Sequence, residues 1–496
     1  MSWSSPPATE APRSHLLIGG RPLAWGAAAL FGLLFVVYLA SIGIRASRGA
    51  GITGDEPFYL LTTQSLIQDG DLDLTNQYAT RSYRVFFDHP DGLWRQSVPN
   101  QRGELLSPHE PALSVLLVPG FAAGGLLGAQ LELVAIAALT FALAFVLTSR
   151  LTGRPATAWI ATLAVGLSAT AFVYSSEVYP ELPAGLALVG ALLLLAREGP
   201  VGTSRALGVV LALTAMSWFG VKYVLLAAVV APVLLLRADA RPRLAAVAAG
   251  AVAGVVYVWF HLVVFDGLTP YGLSSAFAGG TEGEILGEHV AVVDRVYRLW
   301  GVFIDRRFGI ARWAPVLLLA VPGLVLAWRA RGNGRVVSAL VATQLAVATF
   351  LAITMMGWWF PGRTMATVLP LLGLPIAMIL ARASWAWRVA FGLLAGLTVW
   401  ITSALALAGH RGEVIIAVDP FGLGAAPWRL PAPLFPQYTA WGPDTYLLTA
   451  IWLAVGVAAA AWAWRAAARE PGTPPWSASL AGVRPQVSPR LGDRTG

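Results

Sequence analysis

Residues 130–149 read QLELVAIAALTFALAFVLTS, and the six residues that follow read RLTGRP. The apolar run is twenty residues long, which is about the length that an α-helix needs to cross the hydrocarbon core of a bilayer. Two arginines follow within six residues, as is typical of a short link on the cytoplasmic side of a membrane. The same pairing of an apolar run with a basic link recurs along almost the whole sequence, so it decides the fold class.

The composition agrees with this pattern. Of the 496 residues, 57% are hydrophobic and only 12% are charged, whereas a soluble globular chain carries about 25% charged residues. The apolar runs do not alternate with polar residues over short segments, as the strands of outer-membrane barrels do. The sequence therefore predicts an all-α polytopic membrane protein.

The net charge of +8 does not indicate nucleic-acid binding, because most of the arginines lie in short links between apolar runs. The chain has no cysteine, which excludes disulfides, a thiol nucleophile and cysteine metal ligands. No histidine cluster has the spacing of a zinc site. High alanine and arginine content with a single lysine suggests a GC-rich bacterial genome.

Twelve apolar runs are predicted to be transmembrane helices. They lie at 23–44, 130–149, 156–175, 182–196, 206–220, 222–236, 244–265, 313–328, 336–358, 364–381, 389–408 and 444–464. A further apolar run, 111–128, is rich in glycine. Twelve crossings with the N-terminus inside place every basic link in the cytoplasm, whereas a thirteenth would invert them. We therefore predict that 111–128 is a re-entrant or partial span, buried against protein.

The predicted organisation has three parts. They are a disordered cytoplasmic N-terminus (1–20), a transmembrane domain (21–465) and a disordered cytoplasmic tail (466–496). Three long links face outward, at 45–110, 266–312 and 409–443. Because most of the unusual polar residues lie on this outer side, we expect a functional site there, built from loops and helix ends.

The first outer link contains GITGDEPFYLLTTQSL (51–66), in which two carboxylates, Asp55 and Glu56, precede Pro57. The residues after Pro57 predict a short amphipathic helix at the membrane interface, ending at the Asp69–Gly70 turn. Acids and a proline at a helix start are typical of capping. The same pair near the outer membrane surface also suits a catalytic base and its partner, so both interpretations stay open.

Cations also occur at outward turns. Lys222, in SWFGVKYVLL (217–226), is the only lysine of the chain, and its position opposes the positive-inside trend. Arg363 ends WWFPGR (358–363), and Arg306 lies in IDRRFG (304–309), where Asp305 can pair with it. Such side chains either snorkel to the interface or bind a phosphate. The two tryptophans at 358 and 359 are interpreted as interfacial anchors.

Several segments resemble the GT-C glycosyltransferases, in particular the bacterial relatives of protein O-mannosyltransferases and of the transferases that add aminoarabinose to lipid A. In chain order they are GDEPFYLLTTQSLIQDGDLDLTNQY (54–78), SPHEPALSVLLVPGF (107–121), SSEVYPELPA (175–184), DRRFGIARWAPV (305–316) and WWFPGRTMATVLPLL (358–372). The resemblance covers about residues 20–410. It implies a GT-C-like bundle of about twelve transmembrane helices, with juxtamembrane helices in the first outer loop.

The resemblance also implies a function. It implies a glycosyltransferase of the bacterial cytoplasmic (inner) membrane that moves a sugar from a polyprenyl-phosphate donor to an acceptor hydroxyl on the outer face. Asp55 would be the general base of an inverting single displacement, and Glu56 would orient Asp55 or the acceptor. The expected donor-phosphate ligands are Lys222, Arg363 and Arg306, and the expected sugar or acceptor contacts are Glu177, Glu181, His109 and Tyr59. Glu177 and Glu181 are equally interpreted as ordinary loop carboxylates.

The sequence leaves other points open. The acceptor is a glycan, a lipid or a protein. The sequence identifies no cofactor, and a divalent cation held by Asp55 and a glutamate stays open. A second function class is a twelve-helix transporter or flippase. Transporters place ionisable residues near the midplane of repeated halves, but the chain has no internal repeat, and Glu132 is the main ionisable residue within a span. A third is a non-catalytic glycan- or lipid-binding protein of the same fold, favoured if Asp55 points away from a cavity.

Overall fold

The structure is a computed structural model that describes residues 21–197, 199–280, 292–330, 332–352, 354–382 and 384–468. The described residues are mainly α-helical and form no β-strand. The predicted N-terminal segment 1–20 and most of the predicted tail, 469–496, lie outside the described residues. The predicted all-α polytopic fold is confirmed.

The helices of the first half of the chain are α1 (Arg21–Leu39), α2 (Glu56–Gln68), α3 (Thr75–Thr80), α4 (Ala112–Leu116), α5 (Val118–Thr152), α6 (Pro155–Gly166), α7 (Ala169–Tyr174), α8 (Glu181–Leu195), α9 (Thr203–Phe219), α10 (Val224–Arg237) and α11 (Ala240–Val264). Those of the second half are α12 (Tyr271–Phe277), α13 (Val292–Arg295), α14 (Arg298–Ile304), α15 (Ile310–Trp313), α16 (Ala320–Arg329), α17 (Asn333–Ala346), α18 (Gly373–Arg382), α19 (Trp385–His410), α20 (Ala426–Arg429) and α21 (Pro443–Ala468).

Each of the twelve predicted spans contains a helix. Among the described residues, six helical segments are long and apolar enough to cross a membrane, namely Pro22–Leu39, Val118–Thr152, Ala240–Val264, Asn333–Leu351, Trp385–His410 and Pro443–Ala468. Most of the other predicted spans correspond to shorter apolar helices, namely Pro155–Gly166, Glu181–Leu195, Thr203–Phe219, Pro315–Arg329 and Leu369–Arg382. Helix α5 lies in the centre of the bundle, since 61% of its apolar window is buried, against 6% for α11 and α21.

The glycine-rich run 111–128 forms a hairpin rather than a straight crossing. Gly124 (φ −156°, ψ 23°) and Gly125 (φ 57°, ψ −139°) leave the helical conformation inside α5. The N–H of Gly120 donates to a carboxylate oxygen of Glu132 at 3.0 Å, although twelve residues of straight helix would separate the two by about 18 Å. The chain therefore reverses at the glycine pair. Glu132, the ionisable residue noted within a predicted span, closes this hairpin.

Gly125→Ala should destabilise the hairpin by about 1–3 kcal/mol, because an L-residue pays a steric penalty at its positive φ. The midpoint of unfolding in detergent measures the effect. Gly124→Ala is the matched control, since the negative φ of Gly124 is accessible to alanine. Equal midpoints for the two variants would contradict a reversal that depends on Gly125.

Helix α2 begins at Glu56 and ends at Gln68, with Asp69 as its C-cap, which agrees with the predicted turn. It does not lie as an amphipathic helix at an interface, because every residue of Glu56–Ser65 is buried. The side chains that cover it form a hydrophobic cluster that joins the first outer loop to α4 and α5. This cluster includes Phe87, Leu113 and Leu133. The first outer loop is therefore a packed cap on the bundle.

Candidate active site

Glu56 has the capping role that the sequence left open. One oxygen of its carboxylate accepts the N–H of Thr53 at 2.8 Å, and the other accepts the N–H of Val178 at 3.0 Å. The first bond closes the start of α2, and the second ties the first outer loop to the turn between α7 and α8. Glu56 is 1% exposed, and this burial raises its pKa to about 7.

This pKa predicts a pH dependence of stability. Between pH 4.5, the ordinary pKa of a glutamate, and about 7 the folded chain keeps a proton on Glu56 that the unfolded chain releases. Stability therefore falls as the pH rises through this window. We expect the unfolding midpoint of the wild type to fall with rising pH, and the midpoint of Glu56→Gln to depend less on pH. Glu56→Gln should also be less stable than the wild type at every pH, because it loses an acceptor oxygen. Glu413→Gln is the control, because Glu413 is exposed, and its unfolding midpoint should depend on pH as in the wild type. If the midpoint of Glu56→Gln depends on pH in the same way, the prediction is contradicted.

Asp55 faces a cavity. Its side chain makes no capping hydrogen bond to α2 and lines a cavity of about 1000 Å³. One carboxylate oxygen, Oδ2, accepts from Nη2 of Arg363 at 2.8 Å, and Oδ1 lies 3.8 Å from Nε2 of His109. The two adjacent acids thus divide the two roles, since Glu56 caps the helix and Asp55 is presented to the cavity.

Two cations converge on one buried carboxylate next to Asp55. Oε1 of Glu181 accepts from Nζ of Lys222 at 3.0 Å and from Nε of Arg363 at 3.1 Å. The guanidinium of Arg363 also lies 3.9 Å from the ring centroid of Tyr179. A chain of ion pairs therefore runs from Lys222 through Glu181 and Arg363 to Asp55. Lys222 does not line the cavity. It is connected to Arg363 and Asp55 through its ion pair with Glu181.

The cations determine the ionisation of Asp55. Burial alone would raise its pKa, but the charges of Arg363, His109 and Lys222 outweigh burial and lower the pKa of Asp55 to about 2. The group is therefore ionised at neutral pH. A carboxylate with so low a pKa is a poor proton acceptor, and it stays poor for as long as Arg363 is bound to it.

His109 and Tyr59 lie behind Asp55 rather than on the cavity wall. Nε2 of His109 lies 3.0 Å from Oε1 of Gln96, and its ring stacks on Tyr59 with centroids 4.9 Å apart. Burial lowers the pKa of His109. Neither ring lines the cavity, and contact with an acceptor or a sugar stays a prediction for both.

Glu177 is a predicted site residue that lies buried in the protein. It is 3% exposed, and within the described part of the chain neither of its carboxylate oxygens has a hydrogen-bond partner. Burial and the neighbouring charge of Glu56 raise its pKa well above the ordinary value. Glu177 thus lies buried behind the site, whereas Glu181 is the acid that binds both cations.

Arg306 is turned away from the cavity, contrary to its predicted place among the phosphate ligands. Its guanidinium donates to the carbonyl of Phe435 and to the side chain of Gln437, each at 3.0 Å. The next residue, Arg307, lines the cavity instead. Oδ1 of Asp305 accepts the N–H of Arg307 at 2.8 Å, and this turn directs the two neighbouring arginines to different sides.

The cavity wall contains residues that sequence reasoning missed. It is formed by the first outer loop, the segment around Trp358 and the loop near Asp419. Its aromatic members are Phe87, Trp94, Trp358 and Trp359, and its further polar members include Arg48, His89, Asp91, Gln96 and Asp419. The tryptophans in otherwise polar outer loops were the available signal, but aromatic residues are equally typical of membrane interfaces.

A divalent cation held by Asp55 and a glutamate stays a prediction. Among the described residues, no group of three or more histidine, aspartate or glutamate side chains could hold a metal ion. Glu110, which follows His109, is instead bound by Tyr257 at 2.6 Å and lies 2.8 Å from Nε2 of His261. These contacts tie the first outer loop to α11.

No protein-family model matches the sequence, and no curated protein matches it either. Among solved structures, the chain is similar to ArnT from Cupriavidus metallidurans in the apo state, with 18% identity and a TM-score of 0.46 over 92% of this chain and 75% of that chain. It is also similar to ArnT from the same organism bound to undecaprenyl phosphate, with 15% identity and a TM-score of 0.44 over 92% and 76% of the two chains. Similarity at this level carries no functional argument, so the function has to be argued from the residues of the site.

Proposed function

We propose that this protein is a membrane glycosyltransferase that moves a sugar from a polyprenyl-phosphate donor to an acceptor hydroxyl on the outer face of the cytoplasmic membrane. The observation that carries the proposal is the ion-paired chain from Lys222 to Asp55 beside a large cavity. A carboxylate next to two cations supplies what this reaction needs, which is a base for the acceptor and positive charge for the leaving phosphate.

The convergence of distant segments supports the same proposal. Asp55, Glu181, Lys222 and Arg363 come from four separate segments, and three of these segments resemble GT-C glycosyltransferases in sequence. Lys222 was selected independently, as the single lysine at an outward turn. These side chains are joined by contacts of 2.8–3.1 Å, which random placement on the outer surface would not produce.

The donor phosphate would bind at Arg363, which lines the cavity. Lys222 donates to the same oxygen of Glu181 as Arg363, so its positive charge is held close to that place. A phosphate there accepts hydrogen bonds from the guanidinium and is stabilised by the nearby charge of Lys222. The departing polyprenyl phosphate then needs no general acid, because its charge is already stabilised when the sugar leaves.

Donor binding would also prepare the base. In this structure Arg363 binds Asp55 and keeps its pKa at about 2. A donor phosphate that takes over Nη2 of Arg363 removes the main opposing charge, so the pKa of Asp55 rises and the carboxylate becomes a better proton acceptor. The donor would therefore activate Asp55, and an acceptor that arrives first would meet an inactive base.

The chemical step is a single displacement. Asp55 takes the proton of the acceptor hydroxyl while the acceptor oxygen forms a bond to the anomeric carbon of the sugar. The bond from that carbon to the phosphate oxygen breaks, and its electron pair leaves with the polyprenyl phosphate. Attack opposite to the leaving group inverts the configuration of the sugar.

A transfer assay in membranes tests this proposal. Membranes that contain the chain should move label from a polyprenyl-phosphate hexose or pentose to an endogenous acceptor, whereas membranes without the chain should not. Lys222→Ala should reduce transfer at least tenfold, since a charged partner of a buried group contributes about 2–5 kcal/mol. Lys222→Arg, which keeps the charge, should retain more activity. Equal transfer with and without the chain, for both donor classes, would contradict the proposal.

A further inference from the structure

The wall of the cavity in front of Asp55 contains aromatic rings that other side chains do not cover. Trp358 is 67% exposed and Trp94 is 45% exposed, although both line the cavity. Apolar surface left in water is unfavourable, so a ligand that covers these rings would be stabilised there. The ring of Trp94 is held by edge-on contacts to Phe58 and Phe87, with centroids 5.7 and 5.8 Å apart. Its exposed face is therefore fixed before any ligand arrives.

Hydrogen-bonding groups alternate with these rings. His89, Asp91 and Gln96 lie in the same loop as Trp94, and Asp419 faces them from another loop. A sugar ring matches this mixture, because it has an apolar C–H face that packs on an aromatic ring and hydroxyls at its edge that bind carboxylates and amides. The mixture is also the general composition of a small-molecule site, with apolar walls and few polar groups.

Away from Arg363, where the donor phosphate would bind, the cavity wall does not favour an anionic ligand. Its formal cations there are Arg48 and Arg307, and its carboxylates there are Asp91 and Asp419. The two sets balance, and Arg48 already lies 3.8 Å from Asp419. A phosphorylated lipid headgroup would be expected to meet a surplus of positive charge, which this wall does not have. A peptide has no sheet edge to pair with, since the described residues form no β-strand.

The volume exceeds that of one sugar. At about 1000 Å³ the cavity lies at the upper end of the range of roughly 300–1,000 Å³ that drug-sized ligands occupy. The donor sugar occupies only the part next to Arg363, where its phosphate would bind. Trp94, His89 and Asp91 are left for a further ligand that extends away from the reacting centre.

We infer that the acceptor is an uncharged glycan of at least two sugar rings, whose terminal hydroxyl reaches Asp55 while the rings behind it pack on Trp94 and Trp358. This inference rests on the proposed function and names its acceptor class. The tryptophans position the acceptor and take no part in the chemistry.

The test uses the full-length protein in proteoliposomes with a labelled polyprenyl-phosphate sugar and a panel of acceptors. The panel contains neutral hexose and pentose oligosaccharides of one to four rings, serine- and threonine-containing peptides, and vesicles of phosphatidylglycerol. We expect transfer to the oligosaccharides, with a KM that falls as the number of rings grows. Trp358→Ala should raise the KM for the tetrasaccharide about five- to tenfold with little change in kcat, and Trp358→Phe should restore most of this loss.

Trp385→Ala is the matched control, because Trp385 is also an exposed tryptophan, at 79%, but lies at the start of α19, outside the cavity. It should leave the KM for every oligosaccharide unchanged. Transfer to peptides or to the anionic lipid in preference to oligosaccharides would overturn the inference and leave the glycosyltransferase proposal intact. The inference would also be overturned if the KM depends on the number of sugar rings in the same way in Trp358→Ala and in the wild type. If the donor is not cleaved with any acceptor of the panel or with endogenous acceptors, both the acceptor inference and the proposed function are overturned.

Discussion

Asp55→Asn should reduce sugar transfer by about 10²- to 10⁴-fold, which is the share that a positioned general base contributes. Asparagine has nearly the same shape and can still accept a hydrogen bond from Arg363 through its carbonyl oxygen. It cannot take a proton from the acceptor hydroxyl. The loss should therefore appear in kcat, with the KM for the donor changed much less. The initial rate of label transfer at saturating donor measures it.

Asp444→Asn provides the control, because Asp444 is an exposed acid in the first turn of α21 and lies outside the cavity. It should transfer sugar at the wild-type rate. If Asp55→Asn also works at the wild-type rate, Asp55 is not the base. The third reading of the sequence, a non-catalytic binding protein, would then account for the site better.

Arg363→Ala is expected to have the second largest effect, and it should weaken the donor far more than the acceptor. The guanidinium binds both Asp55 and Glu181 in the structure, and it is proposed to bind the phosphate of the donor. Removing one partner of a buried, hydrogen-bonded charge pair costs about 2–5 kcal/mol, so the KM for the donor should rise roughly 30-fold or more. Arg363→Lys should be intermediate, because lysine lacks the planar fork that binds two oxygens.

The same variant tests the activation of Asp55. Without Arg363 the pKa of Asp55 rises above about 2, so the acidic limb of the pH profile of kcat/KM should move to higher pH. An acidic limb that stays in place would contradict control of Asp55 by Arg363. Arg306→Ala is the matched control, since its guanidinium binds the loop at Phe435 and Gln437. It should lower stability without changing the KM for the donor.

The helices were predictable because the signals that specify them are local. Apolar length marks each span, and the arginines of the links mark its orientation, so every predicted span contains a helix. The charges also identified 111–128 as unusual, and the chain does reverse at Gly124 and Gly125. The extent of burial was not predictable. The local pattern around Pro57 indicates a helix, but it cannot show that distant segments cover all its sides.

The site was predictable as a set of residue types but not as an arrangement. Asp55 and Arg363 are 308 residues apart in sequence, and nothing local indicates that they form an ion pair or that the pair lowers the pKa of the carboxylate. Arg306 and Arg307 are neighbours with the same charge, and only the hydrogen bonds of Asp305 decide which of them meets the cavity. Trp358 has the same sequence signature whether it anchors the protein at an interface or packs on a sugar.

The transporter reading has lost its main support within the described residues. Glu132, the ionisable residue noted within a predicted span, accepts the N–H of Gly120 and closes the hairpin. The ion-paired groups from Lys222 to Asp55 lie at helix ends and in loops rather than at the middle of the spans. Transport along a midplane pathway would require the opposite distribution.

The fate of the bond between sugar and phosphate distinguishes these functions most directly. Purified protein in proteoliposomes would receive a polyprenyl-phosphate sugar labelled in both the sugar and the phosphate, together with the oligosaccharide acceptors. The proposed function predicts that the labels separate, with the sugar on the acceptor and the phosphate on the polyprenyl chain, and that Asp55→Asn prevents this separation. Donor that crosses the bilayer with both labels still joined, and no labelled acceptor, would contradict it.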